Sequence, residues 1–215
     1  MKRIAYFGGT FDPVHNGHLS IARALIHQFE LDRFVLMPAF HAPHKPDRAP
    51  TSAYHRYAML SLAVQNEQNI LVSALELNKR QKRYTIDTLP ELHDLHPNDR
   101  VFFVMGADSW ADIRTWRDWE KVLLCSDHIV VTRPGYEIEL THVTDAVRDR
   151  VVDLRTERFV ATADPRTKRI YITDAVLYDA SATELRHDLS DGKLDRENDI
   201  PVEVAKYIEK YELYR

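Results

Sequence analysis

A short apolar run at residues 3–7 stops at the glycine pair Gly8-Gly9. From residue 17 to residue 29 helical spacing takes over, with Leu19, Ala22, Leu25, Ile26 and Phe29 on one face. A buried strand that turns through glycine into an amphipathic helix is one unit of an α/β layer fold. The pattern recurs along the chain. Residues 34–37 form a second apolar run, stopped by Pro38, and a loop with Pro43, Pro46 and Pro50 follows. Residues 54–64 read as helix and 70–75 as strand. Residues 85–95 read as helix, with Pro90 as an interior residue that kinks or shortens it. Residues 101–105 are the clearest strand, ended by Gly106, and 129–131 are another, closed by Arg133-Pro134-Gly135. Residues 137–168 are charged and carry a helix expectation over 143–151 without clear periodicity. A strand is expected at 170–173, and the final helices at 183–189 and 202–211. Strands alternating with helices predict an α/β fold with a parallel sheet flanked by helices.

The remaining bounds are negative. A chain of 215 residues can bury a sizeable core as one large domain or two small ones, and no repeat, low-complexity tract or linker divides it. A formal charge of −4 gives no reason to expect nucleic-acid binding. Cys125 is the sole cysteine, so no internal disulfide can form, which suits a reducing cytosol. The apolar run after Lys2-Arg3 is too short for a signal peptide, and no stretch approaches membrane-spanning length. A cytoplasmic protein without a membrane partner is expected, and a homo-oligomer is compatible with the sequence.

The stretch FGGTFDPVHNGHL, residues 7–19, carries the chemistry. In an open parallel sheet such a strand-to-helix turn lies at the carboxyl end of its strand, where ligands bind. Glycines let backbone approach a ligand, and a helix N-terminus suits phosphate. His15 and His18 bracket that terminus, and an imidazole can donate to a phosphate oxygen. Three readings stand side by side: a plain surface turn, a metal site with His15 and His18 as two ligands, and a phosphate site. The metal reading lacks an obvious third ligand, since HExxH is absent and only Asp12 is at hand. The phosphate reading uses every feature, although neither GxGxxG nor GxxxxGK[ST] occurs.

GGTFDPVHNGHL resembles the (H/T)xGH signature of the nucleotidylyltransferase superfamily. With VHNGH and the preceding Phe11-Asp12-Pro13 it is most similar to the bacterial nicotinate-nucleotide adenylyltransferases. Their second signature, (I)SSTxxR, is matched by Ser181-Ala182-Thr183-Glu184-Leu185-Arg186. Between the two, Ala42-Pro43-His44-Lys45, the run YTIDTL at 84–89, Gly106-Ala107-Asp108-Ser109, Trp116 and Arg133-Pro134-Gly135-Tyr136 fall in the family's order. The resemblance covers nearly the whole chain. It implies a Rossmann-like fold in a single domain, 1–215, with a small helical C-terminal part at about 181–215. It implies transfer of the adenylyl group of ATP to nicotinate mononucleotide, giving deamido-NAD and pyrophosphate in NAD biosynthesis. The transfer would be direct and in line, so it needs positioning and charge stabilisation more than a protein nucleophile. Mg²⁺ would come with the ATP phosphates, with no dedicated metal site on the protein.

By the resemblance, His15, His18 and Arg186 are the catalytic set, with His18 at the charge developing on the α-phosphate. Gly8, Gly9, Thr10 and Phe11 would present backbone to the nucleotide. Gly106, Asp108, Arg133, Ser181 and Thr183 would complete the ATP site, Asp108 by accepting from ribose hydroxyls. His44 and Lys45 would meet the mononucleotide phosphate, Thr85 the nicotinate carboxyl, Asp108 the ribose, and Trp116 the pyridine ring. Plainer roles exist for several of these. Ser181-x-x-Glu184 is also a helix-capping pattern, Asp108 can cap a helix, and one of Trp110, Trp116 and Trp119 is expected in the core. Arg133 can simply precede a Pro-Gly turn. Ala180 and Ala182 depart from the family's isoleucine and second serine, removing one hydroxyl. The rivals are adenylyltransferases preferring nicotinamide mononucleotide or phosphopantetheine, a non-catalytic nucleotide sensor, and a metal-dependent hydrolase. Thr85 and Trp116 favour a pyridine ring over phosphopantetheine.

Overall fold

The structure is a computed structural model that describes residues 1–41, 50–132, 138–156, 159, 167–174, 182–190 and 199–214. Among the described residues seven strands form one sheet: β1 (Arg3–Gly9), β2 (Arg33–Pro38), β3 (Ile70–Val72), β4 (Arg100–Gly106), β5 (Asp127–Val131), β6 (Val151–Asp153) and β7 (Ile170–Thr173). Every pairing is parallel and the order is β3-β2-β1-β4-β5-β7-β6. The strand order reverses between β1 and β4, because the chain first builds outward through β2 and β3 and then returns to the other side of β1. In a sheet of this kind the crevice at the carboxyl ends of those two strands is where ligands bind.

The helices are α1 (Asn16–Gln28), α2 (Ala53–Ala63), α3 (Leu75–Lys79), α4 (Thr85–Leu95), α5 (Ala107–Ala111), α6 (Trp119–Cys125), α7 (Asp145–Arg148), α8 (Ala182–Ser190) and α9 (Val202–Lys210). They cover both faces of the sheet, which is why the strands read as unbroken apolar runs. Alternate residues of each strand serve opposite sides. Ala5, Phe7, Phe34, Leu36, Phe102 and Val104 meet Leu19 and Leu25 of α1, Met59 and Leu60 of α2, Leu185 of α8, and Val204 and Ile208 of α9. Ile4, Tyr6, Val35, Met37, Val101 and Phe103 meet Leu89 and Leu92 of α4, Trp110 of α5, and Val122 and Leu123 of α6.

Three expectations change. Gly8 and Gly9 lie inside β1, paired with Met37 and Pro38, so the turn begins after them. The strand at 70–75 stops at Val72, and Leu75 opens a short helix whose Leu77 is buried. The 143–151 helix shrinks to α7, and Val151 starts β6. α4 does run through Pro90; the ring withdraws one N–H from the ladder without ending it. Among the described residues no helix is long and apolar enough to cross a membrane.

Candidate active site at the carboxyl ends of β1 and β4

β1 delivers Gly8 and Gly9 to the switch point. A Cβ on Gly9 would stand 2.9 Å from Cζ of Phe11, and one on Gly8 would stand 3.1 Å from Cζ of Phe103. Position 9 therefore stays a glycine because an aromatic ring occupies the space of a side chain. Phe11 has φ 51°, a left-handed conformation that a bulky residue rarely adopts. Its ring, almost fully buried, stands edge-on to Phe7 at 5.6 Å and to the His18 imidazole at 4.9 Å.

α1 follows at once, with His15 as its N-cap. The His15 and His18 rings lie with centroids 3.7 Å apart and planes inclined by 36°. The His15 N–H donates to Nδ1 of His18 at 3.2 Å. A nitrogen that accepts carries no proton, so the neutral His18 ring bears its hydrogen on Nε2. The helix terminus is less open than its dipole suggests. The N–H of Asn16 donates to the Asp199 carbonyl at 2.8 Å and that of His18 to the His15 carbonyl at 3.0 Å.

Asp12 ties this loop to three distant parts of the chain. Its carbonyl accepts from Nη1 of Arg186 at 2.8 Å, its Oδ1 from the Tyr214 hydroxyl at 2.6 Å, and its Oδ2 from the Thr51 N–H at 3.2 Å. Both carboxylate oxygens of Asp12 are thus engaged within the protein. Among the described residues no group of three or more His, Cys, Asp or Glu is placed to hold a metal ion. Arg186 thus reaches the first signature from α8, which joins the two ends of the sequence at one place.

β4 ends at Gly106, the N-cap of α5. A Cβ there would fall 2.6 Å from Oδ1 of Asp108, so the carboxylate folds back over the glycine at the sheet edge and remains exposed. Phe103 of β4, which crowds Gly8, stands edge-on to Trp116 at 6.4 Å and 84°. Trp110 is the core tryptophan: it is 1% exposed, and its indole N–H donates to the Glu139 carbonyl at 2.9 Å. Trp116 is only partly buried. Thr85 begins α4, whose antiparallel course to the strands brings its N-terminus to the same edge. The guanidinium of Arg117, next to Trp116, lies 5.3 Å from the ring of Tyr84, next to Thr85, which links the two expected pyridine contacts. Thr88, one turn further on, donates to Oε1 of Glu76 at 3.0 Å, and burial pushes that carboxyl above its ordinary pKa.

The structure thus gathers Gly8, Gly9, Thr10, Phe11, His15, His18 and Arg186 on the β1 side and Gly106, Asp108, Thr85 and Trp116 towards the β4 side. His44, Lys45, Arg133 and Ser181 lie outside the described residues, and Thr183 is described only as a member of α8. Sequence reasoning missed Arg56 and Tyr214. Both are buried polar residues at the back of the loop, and neither carries a local pattern that marks it.

A family model described as cytidylyltransferase-like matches residues 6–188. A probable nicotinate-nucleotide adenylyltransferase of Desulfitobacterium hafniense (strain Y51) is 37% identical over 214 residues, spanning 100% of this chain and 96% of that one. The chain belongs to the cytidylyltransferase-like family, and within it to the nicotinate-nucleotide adenylyltransferases. Another adenylyltransferase of that description, from Clostridium tetani (strain Massachusetts / E88), is 34% identical over 215 residues with 100% of both chains covered. Among solved structures, the Plasmodium falciparum nicotinic acid mononucleotide adenylyltransferase complexed with NaAD superimposes with a TM-score of 0.74. It is 21% identical and covers 100% of this chain and 98% of its own, a likeness of fold.

Proposed function

We propose that this adenylyltransferase carries the adenylyl group of ATP to the phosphate of nicotinate mononucleotide, forming deamido-NAD and releasing pyrophosphate. The observation that carries the reading is the Arg186–Asp12 hydrogen bond of 2.8 Å, which brings the second family signature onto the first at the β1/β4 switch point. A mononucleotide phosphate is already ionised at neutral pH, so no protein base is required. One oxygen of that phosphate bonds to the α-phosphorus of ATP as the bond to the β-phosphate oxygen breaks, and the electron pair leaves with pyrophosphate.

The chain's own work is positioning and charge stabilisation. His18, held through Nδ1, directs its Nε2–H to the α-phosphate, and His15 stands beside it. Arg186 lies where a fixed cation meets the β- and γ-phosphates. Ser181 and Thr183 add hydroxyls from the same signature, and Arg133 flanks the nucleotide. Gly106 and Asp108 serve the ribose at the β4 edge. Trp116 stacks on the pyridine ring, Thr85 meets its carboxyl, and His44 and Lys45 hold the mononucleotide phosphate. Mg²⁺ would come with ATP and offset the charge of its phosphates. We place the reaction in the cytoplasm, with small molecules as the partners.

Purified protein is incubated with ATP and Mg²⁺ and, in parallel, nicotinate mononucleotide, nicotinamide mononucleotide or phosphopantetheine, and pyrophosphate is followed. Release with nicotinate mononucleotide above the other two is the expected result. No release with either pyridine nucleotide overturns the reading.

A further inference from the structure

Glu76 of α3 is half-buried, and its Oε1 accepts from the Thr88 hydroxyl of α4 at 3.0 Å. Thr88 is 1% exposed. A threonine inside a helix ordinarily returns its hydroxyl to the carbonyl four residues back, which bends the helix there. That carbonyl belongs to Tyr84, the N-cap of α4, and it lies farther from the hydroxyl, at 3.4 Å. It already accepts from the N–H groups of Asp87 at 2.9 Å and Thr88 at 3.2 Å. Glu76 therefore draws the Thr88 hydroxyl away from the first turn of its own helix. Thr85, three residues before Thr88, lies on the same side of α4.

Other bonds between these segments act further along the helix. Nζ of Lys79 and Nη1 of Arg83 meet the two carboxylate oxygens of Glu91 at 3.0 and 2.6 Å, and Nη2 of Arg83 donates to Asp87 O at 2.8 Å. These contacts hold the middle of α4 whatever stands at position 76. A carboxyl withdrawn from water is costly to place. Burial raises the Glu76 pKa against the Thr88 hydrogen bond and the Arg83 charge. A leucine would fill the space without that cost, so the acceptor points to a task at the first turn. Oε1 can perform it whether or not Oε2 carries a proton.

We propose that Glu76 is a positioning residue that sets the first turn of α4 through Thr88, and with it the preference for the acid mononucleotide over the amide. The inference rests on the proposed function in one respect, the assignment of Thr85 to the pyridine carboxyl. The first N–H groups of a helix, at the positive end of its dipole, favour a carboxylate over a neutral carboxamide. That advantage depends on direction. A first turn bent by the Thr88 hydroxyl loses more with the acid than with the amide.

The test has two arms on the full chain. In the first, steady-state kinetics are measured with nicotinate and nicotinamide mononucleotides on wild type, Glu76→Ala, Glu76→Gln and Thr88→Val. Glu76→Ala and Thr88→Val should each raise KM for the acid about tenfold, with KM for the amide and for ATP within about twofold. Combining the two should cost no more than either alone. Glu76→Gln should stay within about twofold of wild type, because its amide oxygen accepts the same bond. Equal losses for acid and amide would reduce Glu76 to a structural role and overturn the proposal. So would a Glu76→Gln variant that departs from wild type as far as Glu76→Ala, since charge and not the acceptor would then matter. In the second arm, hydrogen–deuterium exchange without substrate is compared between wild type and Glu76→Ala. Faster exchange at residues 87–89, with 92–95 unchanged, is the expected result. Unchanged exchange at 87–89 overturns the proposal whatever the substrate. If wild type itself ignores both pyridine mononucleotides, the proposed function fails, and the exchange arm still decides whether Glu76 sets the first turn.

Discussion

The hydroxyl of Tyr214 donates to Oδ1 of Asp12 at 2.6 Å across a sequence separation of 202 residues. Tyr214 is 6% exposed, and burial, reinforced by the Asp12 charge, pushes its phenol above the ordinary pKa. It is therefore a donor at every pH the enzyme meets. The same aspartate holds Thr51 through its other oxygen and Arg186 through its carbonyl. A residue just beyond α9 thus helps shape the loop on which the histidines are mounted.

Tyr214→Phe keeps the ring and deletes the donor. A hydrogen bond to a charged acceptor contributes about 1.5–3 kcal/mol, so urea denaturation should show a loss on that scale. Because Arg186 and Asp12 share the node, KM for ATP should rise alongside it. A loss of stability with an unaltered KM for ATP would separate the tail from the site.

His18→Ala removes the donor assigned to the α-phosphate. The expected fall in kcat is about a hundredfold or more, the scale for deleting one donor that stabilises developing charge. If only KM changes, His18 binds ATP without favouring the transition state.

Trp116→Ala should raise KM for the mononucleotide more than KM for ATP, since its ring stands with Phe103 on the side linked to Thr85. The reverse order would refute the stacking role.

Acid sensitivity should come from the far side of the molecule. His128 is 0% exposed, its Nδ1–H donates to Ser126 O at 3.1 Å, and burial lowers its pKa from 6.5 to about 4. Below pH 6.5 the unfolded chain takes up a proton that the native state refuses until about pH 4. Stability is thus complete above that window and falls through it by about 3 kcal/mol from this one group. Burial shifts His93 in the same direction. Denaturant midpoints for His128→Leu should vary less with pH between 7 and 4 than those of wild type. An equal slope would assign the acid loss to other groups.

At the amino ends of the strands, Arg100 and Asp127 form a buried pair at 2.8 and 3.1 Å, with side chains 3% and 0% exposed. Asp127→Asn leaves the guanidinium without its counter-charge, and breaking such a pair costs about 3–5 kcal/mol. Thermal denaturation should register it, while kcat and both KM values stay at wild type because the site is at the opposite edge.

The parts legible in the sequence share a physical cause. β1 and β4 are apolar on both faces and end in glycine, so their runs and stops stood out. α1 is long enough to show its stripe. Helices such as α3 and α5 span barely more than a turn, too short for a helical period to rise above chance. Leu75 looked like more of β3 because only the small residues Ser73 and Ala74 separate it from the apolar run at 70–72. Arg56 sits among apolar residues of α2, where a charge reads as a solvent-facing break in the stripe. Only the three-dimensional meeting of the Thr10, Ala39, Phe40 and Thr51 carbonyls gives it partners. The site histidines were legible because they cluster, whereas Asp12 and Tyr214 act as a pair whose members lie at opposite ends of the chain.

Gly9 shows how crowding can pass for chemistry. A saturation screen for growth would find nearly every substitution there deleterious and would score the position beside His15 and His18. Yet the obstacle is the Cζ of Phe11, 2.9 Å from the missing side chain. A second-site change that shrinks residue 11 should therefore rescue a small residue at position 9, whereas no such suppressor is expected for His18. Suppressor genetics would separate positions whose side-chain size is limited by crowding from those whose side chain itself serves the nucleotide.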